Sequence, residues 1–211
     1  MTSEINRIKD EILEKGFWAQ DNTQIGEIVD DIVRNEYNLQ TEVGLGLYTA
    51  AVLKNELVAE VIGSLFPQST FIFYRAFGKT KLKHCILNRT ADNMRILIVF
   101  CWSSESAGTI YSGSHSHYLG ATGASNGLLA IPDESLNHLN IRPHSITMDR
   151  GGLAIVDARC GWQIDKGKSI LLGFAIPDEL PWWRPMPLPI SFKDALMETV
   201  GGKINMNVQF S

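Results

Sequence analysis

Apolar residues between positions 5 and 13 fall at Ile5, Ile8, Ile12 and Leu13, the i, i+3, i+7, i+8 spacing that lines one face of a helix. Gly16 is placed to end it. The same spacing returns in Ile25, Ile28, Val29, Ile32 and Val33, with Asp21 or Asn22 as the side chain that caps the first turn. A third helix is predicted from about Ala50 to Leu65, carrying Leu53, Leu57, Val58, Val61 and Ile62 until Pro67 stops it. Beyond Pro67 the period changes. The segments TFIFYRAFG, KLKHCILNR, RILIVFCW, GTIYSG, GGLAIVDARCGWQI and SILLGFAI are short, β-branched and aromatic, and Gly, Asn, Asp and Ser separate them. They read as strands. Between His117 and Gly151 the pattern lapses, which predicts loops lying over a scaffold. Near the end, PISFKDALMETVGG predicts a short amphipathic helix closed by Gly201.

Helices followed by six or more strands imply an α+β chain, a double-stranded β-helix (jelly roll, cupin-like) preceded by N-terminal helices. The expected division of this single domain is a helical part over residues 1–66, a jelly-roll core over 67–180 and a tail with a short helix over 181–211.

Composition narrows the function classes. The chain has 211 residues, 45% of them hydrophobic, with 19 basic against 23 acidic side chains for a formal charge of −4. No cluster of Lys and Arg stands out, so no nucleic acid or membrane partner is expected, and small neutral or anionic molecules fit better. A homodimer is compatible with the sequence. Cys85, Cys101 and Cys160 are odd in number and far apart, which argues against a disulfide framework or a zinc ribbon. Each reads as a small apolar residue on a buried strand. The charged N-terminus and the lack of any apolar run of roughly 18 residues make a cytoplasmic location the default expectation.

Candidate chemistry begins in GTIYSGSHSHYLG, Gly108 to Gly120. On an extended strand His115 and His117 point to one side, as two metal ligands require. In a turn, which Gly113 and Ser114 favour, they are hydrogen-bonding groups instead.

The run from Arg95 to His115, RILIVFCWSSESAGTIYSGSH, and the later GGLAIVDARCGWQI and GKSILLGFA resemble phytanoyl-CoA dioxygenase-like proteins, a branch of the Fe(II)/2-oxoglutarate oxygenases. Ser106 to Gly108 and Ser112 to His115 follow one family pattern, and Gly151 to Asp157 follow another. The likeness spans about 140 residues. The resemblance implies a cupin-like barrel whose iron is held by a His-x-Asp/Glu pair and a distal histidine. Three departures stand against that. His84 is followed two places on by Ile86, Trp162 occupies the distal histidine's place, and Lys168 lies about where an arginine would clamp 2-oxoglutarate. An indole has no lone pair to give iron. A rebuilt iron centre would draw on His115, His117 and Asp157.

The sequence therefore predicts a small-molecule enzyme that needs no metal or cofactor, catalysing an acid–base isomerisation, cyclisation or dehydration. Its alternatives are an oxygenase using Fe(II) and 2-oxoglutarate on relocated ligands, and a non-catalytic ligand-binding protein on a degenerate oxygenase fold. The candidate catalytic residues are His115, His117, Asp157 and His84. The candidate substrate-binding residues are Arg75, Trp102, Tyr111, Arg159, Trp162 and Lys168. For several the plain structural role competes. Asp157 and Arg159, two apart on a strand, suit an ion pair. His84 shares a strand face with Ile86 and Asn88 and suits a core position. His138 and His144 suit exposed loops, Arg75 either points into the barrel or snorkels to water, and Trp182–Trp183 suit a lid.

Overall fold

The computed structural model describes residues 2–87, 93–194, 196 and 204–211. Helix α1 (Thr2–Lys15) buries Ile8 and Ile12 and ends at Gly16, whose φ of +91° suits a residue without a Cβ. Helix α2 (Thr23–Arg34) starts at Asn22, whose side chain accepts a 3.1 Å bond from the Ile25 amide, and it buries Ile25, Gly26, Val29 and Ile32. Helix α3 (Glu42–Tyr48) runs into a π-helical segment, Thr49–Leu53. Helix α4 (Glu56–Leu65) begins anew because Asn55 caps it. The single helix expected over 50–65 is thus two pieces broken at a capping asparagine.

The strands β1 (Phe17–Asp21), β2 (Ser69–Gly78), β4 (Ile96–Trp102), β9 (Gly152–Asp157), β11 (Lys168–Ala175) and β13 (Ile204–Met206) form one sheet, in the order β1-β9-β4-β11-β2-β13. A second sheet has the order β6-β7-β3-β10-β5-β8. It comprises β3 (Lys83–Cys85), β5 (Ser106–Ser112), β6 (Thr122–Gly123), β7 (Leu129–Ile131), β8 (Arg142–Met148) and β10 (Gly161–Lys166). From β2 to β5 and again from β8 to β11 the chain alternates between the two sheets, in the jelly roll expected from the pattern. A small parallel pair, β12 (Met186–Leu188) with β14 (Val208–Phe210), completes the tail.

Alternation in the first sheet sorts side chains between two cores. Leu97, Val99, Cys101, Leu153 and Ile155 face the helices. Ile98, Phe100, Trp102, Ala154 and Val156 face the second sheet and fill the barrel together with Phe17, Ile110, Trp162 and Ile164.

Three further expectations are corrected here. The N-terminal part is not all helical, because β1 pairs along the whole of β9 from Phe17↔Val156 to Asp21↔Gly152. Its Phe17 enters the barrel while Trp18 joins the helix-side core. The stretch after His117 is not only loop: β8 pairs with all of β5, but as a mostly exposed edge strand containing Pro143 it shows little hydrophobic pattern. GGLAIVDARCGWQI is two strands in different sheets, turning at residues 158–160. The predicted C-terminal helix falls largely outside the described residues. After it, β13 extends the first sheet parallel to β2.

Candidate functional site

In GTIYSGSHSHYLG, His115 lies in a 3₁₀ turn, Ser114–Ser116, and His117 is the residue that ends it, so the two do not share a strand face. His115 is buried, and its Nε2 donates to the Leu13 carbonyl at 3.2 Å, one of the carbonyls left unpaired at the end of α1. Gly113 donates its amide to the Lys15 carbonyl at 2.9 Å, and Asp157 donates its own to the Gly16 carbonyl at 2.8 Å. A Cβ on Gly16 would stand 2.6 Å from Nδ1 of His115, so the glycine also lets the imidazole close on the chain. The motif therefore clamps the end of α1 to the barrel. His117 points elsewhere, its ring 4.0 Å from that of exposed His138. Burial and the neighbouring His138 and His115 hold its pKa below the ordinary value.

Asp157 is wholly buried and paired with Arg159, whose Nη2 donates to Oδ2 at 2.6 Å and whose amide and Nε donate to Oδ1 at 2.9 and 3.0 Å. Its strand places it on the face shared by Leu153 and Ile155, away from the barrel interior. Tyr111 also points away, into a small core on the outer face of the second sheet with Cys85, Leu119 and Ile131. Lys168 starts β11 near Gly78 and sets its ammonium 5.9 Å from the Tyr37 ring. His144, on β8, has its ring 5.2 Å from Phe17. These residues do not converge with one another.

The residues that do come together lie at one end of the barrel. His84 and Ile86 point inward from the β3 region, and His84 sits directly opposite Trp162 in the pairing of β3 with β10, rings 5.4 Å apart. Asn88, expected on the same face, lies outside the described residues. Trp162 packs on Phe100 at 5.2 Å and Phe77 at 5.9 Å, and Trp102 stacks on Phe100 at 5.7 Å. The deep interior is thereby filled with rings. On β2, Phe73 and Phe77 belong to the barrel core while Tyr74 and Ala76 pack on the helix side, so Arg75 shares the inward face.

A tight turn joins His84 to Arg75. Ala124 donates its amide to the Leu128 carbonyl at 2.8 Å, Gly127 donates to Ala124 at 3.1 Å, and the Leu128 amide donates to Asn126 Oδ1 at 3.1 Å. That last bond orients the Asn126 amide, leaving Nδ2 to face Nε2 of His84 at 3.5 Å. Thr80 Oγ1 is 3.4 Å from the same nitrogen. Arg75 Nη1 donates to the Asn126 carbonyl at 3.4 Å. A cavity of about 70 Å³ lies against this turn, lined by Phe73, Arg75, Ile86, Gly127, Leu128 and Trp183. The Trp182–Trp183 pair, singled out as a lid, is set there by the C-terminal tail. Trp183 stacks on Phe73 at 5.0 Å, and Asn207 Nδ2 donates to its carbonyl at 3.0 Å.

His84 is 1% exposed, its Nδ1 has no hydrogen-bond partner among the described residues, and its Nε2 contacts lie at the long limit of hydrogen bonding. Burial pushes its pKa below the ordinary histidine value, an effect the Leu129 backbone partly opposes. Burial therefore favours its neutral form. Asn126, Gly127 and Thr80 were missed in the sequence because nothing in their spacing marks them; the stretch that holds Asn126 and Gly127 reads only as loop.

No family model and no curated protein matches the chain. Solved structures do. The epimerase SnoN, in complex with Fe3+, alpha ketoglutarate and nogalamycin RO, superposes with a TM-score of 0.60 at 10% identity, over 83% of this chain and 85% of that one. HygX from Streptomyces hygroscopicus, with nickel and 2-oxoglutarate bound, superposes at 0.54 and 8% identity, over 81% and 86%. The chain thus shares its fold with SnoN and HygX. The expectation of a reaction without metal or cofactor is overturned by these structures, which carry iron or nickel with 2-oxoglutarate, so metal independence does not follow for a chain of this fold. Among the described residues, however, no group of three or more His, Cys, Asp or Glu side chains could hold a metal ion. His115, His117 and Asp157 form no such group. At the inward positions His84, Ile86 and Trp162 supply one nitrogen donor where a facial triad needs two histidines and a carboxylate. The described residues do not fit the ion.

Proposed function

We propose that the protein is a small-molecule enzyme of biosynthetic metabolism that binds its substrate at the barrel mouth and moves a proton through His84. The observation that supports this most is that one residue, Asn126, meets both the buried imidazole of His84 and the Arg75 guanidinium, which lines a cavity together with Ile86 and Gly127. A positioned histidine contributes about 10²- to 10⁴-fold to a proton transfer, which suffices for epimerisation, isomerisation or ring closure of an activated carbon acid. Nε2 of His84 would take the proton, giving up its long contacts with Thr80 and Asn126, which flank that nitrogen. In this reading His84, Ile86 and Trp162 stand where phytanoyl-CoA dioxygenase-like proteins carry their His-x-carboxylate pair and distal histidine. The fold shared with SnoN, described as an epimerase from nogalamycin biosynthesis, adds support by analogy.

The test is incubation of the protein in D₂O with a metabolite extract of its source, read by mass spectrometry. The wild type should generate a product or incorporate deuterium, His84→Asn should not, and His115→Ala should behave as wild type. A wild-type extract left unchanged would sink the proposal. A parallel arm with Fe(II), 2-oxoglutarate and ascorbate distinguishes an oxygenase, which would release succinate. The ring-filled interior favours a second reading, a binding protein without turnover, whose sign is a ligand retained at unchanged mass.

A further inference from the structure

A wider groove of about 560 Å³ adjoins the cavity at the mouth, and the two share Phe73, Arg75 and Trp183 as walls. Trp182 and Arg184 form the outer wall, and Trp182 is 76% exposed. Arg75 and Arg184 have no carboxylate within 4.0 Å among the described residues, and the one hydrogen bond of the Arg75 guanidinium is the 3.4 Å contact with Asn126. Position 75 lies between Phe73 and Phe77 on an inward face, where the alternation calls for an apolar residue. A Cβ at Gly127 would come within 2.6 Å of Nη1, so the glycine is what lets the guanidinium rest on the rim.

An unpaired planar cation at the junction of cavity and groove, next to a half-buried and an exposed indole, recognises a particular ligand chemistry. A guanidinium offers two parallel N–H donors that match a carboxylate. Indole faces cover flat apolar bodies. We propose that this groove binds a planar organic anion, its carboxylate on Arg75 and its aromatic or conjugated body along Trp182 and Trp183. The inference rests on the mouth being the ligand site but not on any chemistry at His84. Because the whole chain is net negative, at −4, recognition comes from the local cation and not from long-range attraction.

Calorimetric titration with naphthalene-2-carboxylate and its neutral isostere naphthalene-2-carboxamide tests it. The carboxylate should bind the wild type about tenfold or more tightly than the amide. Arg75→Gln should abolish that preference while leaving amide affinity and the melting temperature unchanged, since the side chain is exposed. Trp183→Ala should weaken both ligands. His84→Asn should bind both as the wild type does, so a chain that binds the anion through Arg75 but turns nothing over defeats the enzyme reading alone. Equal affinity for the two ligands, a preference that survives Arg75→Gln, or no binding of either at millimolar concentration overturns the proposal.

Discussion

Replacing His115 with alanine separates the clamp from the mouth. The ring is 4% exposed, donates to the Leu13 carbonyl at 3.2 Å and closes over Gly16, so its removal costs a hydrogen bond and leaves a void beneath the end of α1. The bond contributes about 1 kcal/mol and the lost packing about 1–2 kcal/mol, for a total of about 2–3 kcal/mol. For a domain of this length each kcal/mol lowers Tm by about 2–4 °C, which predicts a drop of about 5–10 °C. His115→Gln, whose amide can reach the same carbonyl, should regain about 1 kcal/mol of it. Thermal unfolding followed by circular dichroism measures the loss, and amide exchange at residues 13–16 localises it. Binding of naphthalene-2-carboxylate at the mouth should be unchanged. A variant that melts with the wild type but no longer binds would refute the assignment of His115 to the clamp and restore it to the functional site.

The other expectations are more local. Because the pKa of His84 is lower in the folded chain than the ordinary 6.5, the unfolded chain binds the extra proton between those two values, so stability falls as pH drops through 6.5 and levels off below the folded pKa. His84→Gln should flatten that decline in a pH series of Tm, and an unchanged slope would contradict the burial argument. Burial pushes the Cys85 and Cys160 thiols up to about 12 and raises that of Cys101 as well, so none of the three should react with a thiol reagent at pH 7.5 until the protein unfolds, when all three should. Gly127→Ala forces a φ of +75° on a residue with a Cβ and pushes on Arg75, predicting a loss of about 1–2 kcal/mol and weaker anion binding; a neutral result would mean that the rim is not as tight as drawn.

The local parts of this fold were legible because their signals are local. Ile8 and Ile12, Val29 and Ile32, and Val61 and Ile62 marked helix faces by spacing, and the cap at Asn22 and the stop at Gly16 lay next to them. The apolar runs of β4 and β11, buried on both faces, stood out as strands. The pairing of Asp157 with Arg159 was foreseeable because two residues on a strand share a face. Strands without an apolar signature were not legible. β8 is an exposed edge, and β1 is a five-residue segment between two helices.

The site was legible only as a pool of residue types. His84, Arg75 and Trp162 were in that pool, alongside His115, Asp157, Tyr111 and Lys168, which the fold carries to other faces. One-dimensional spacing says which way a side chain points relative to its strand, but which face of a sheet becomes the inside of a barrel depends on pairings between residues as far apart as Phe17 and Val156. The strand pair His84↔Trp162, the turn at Asn126 and the tail that returns Trp183 to Phe73 are such pairings. They exist only once hydrogen-bonded ladders and apolar burial have closed the chain on itself. The sequence by itself determined the helices, the sheet content and the kinds of chemistry present, and tertiary packing decided which of those groups meet.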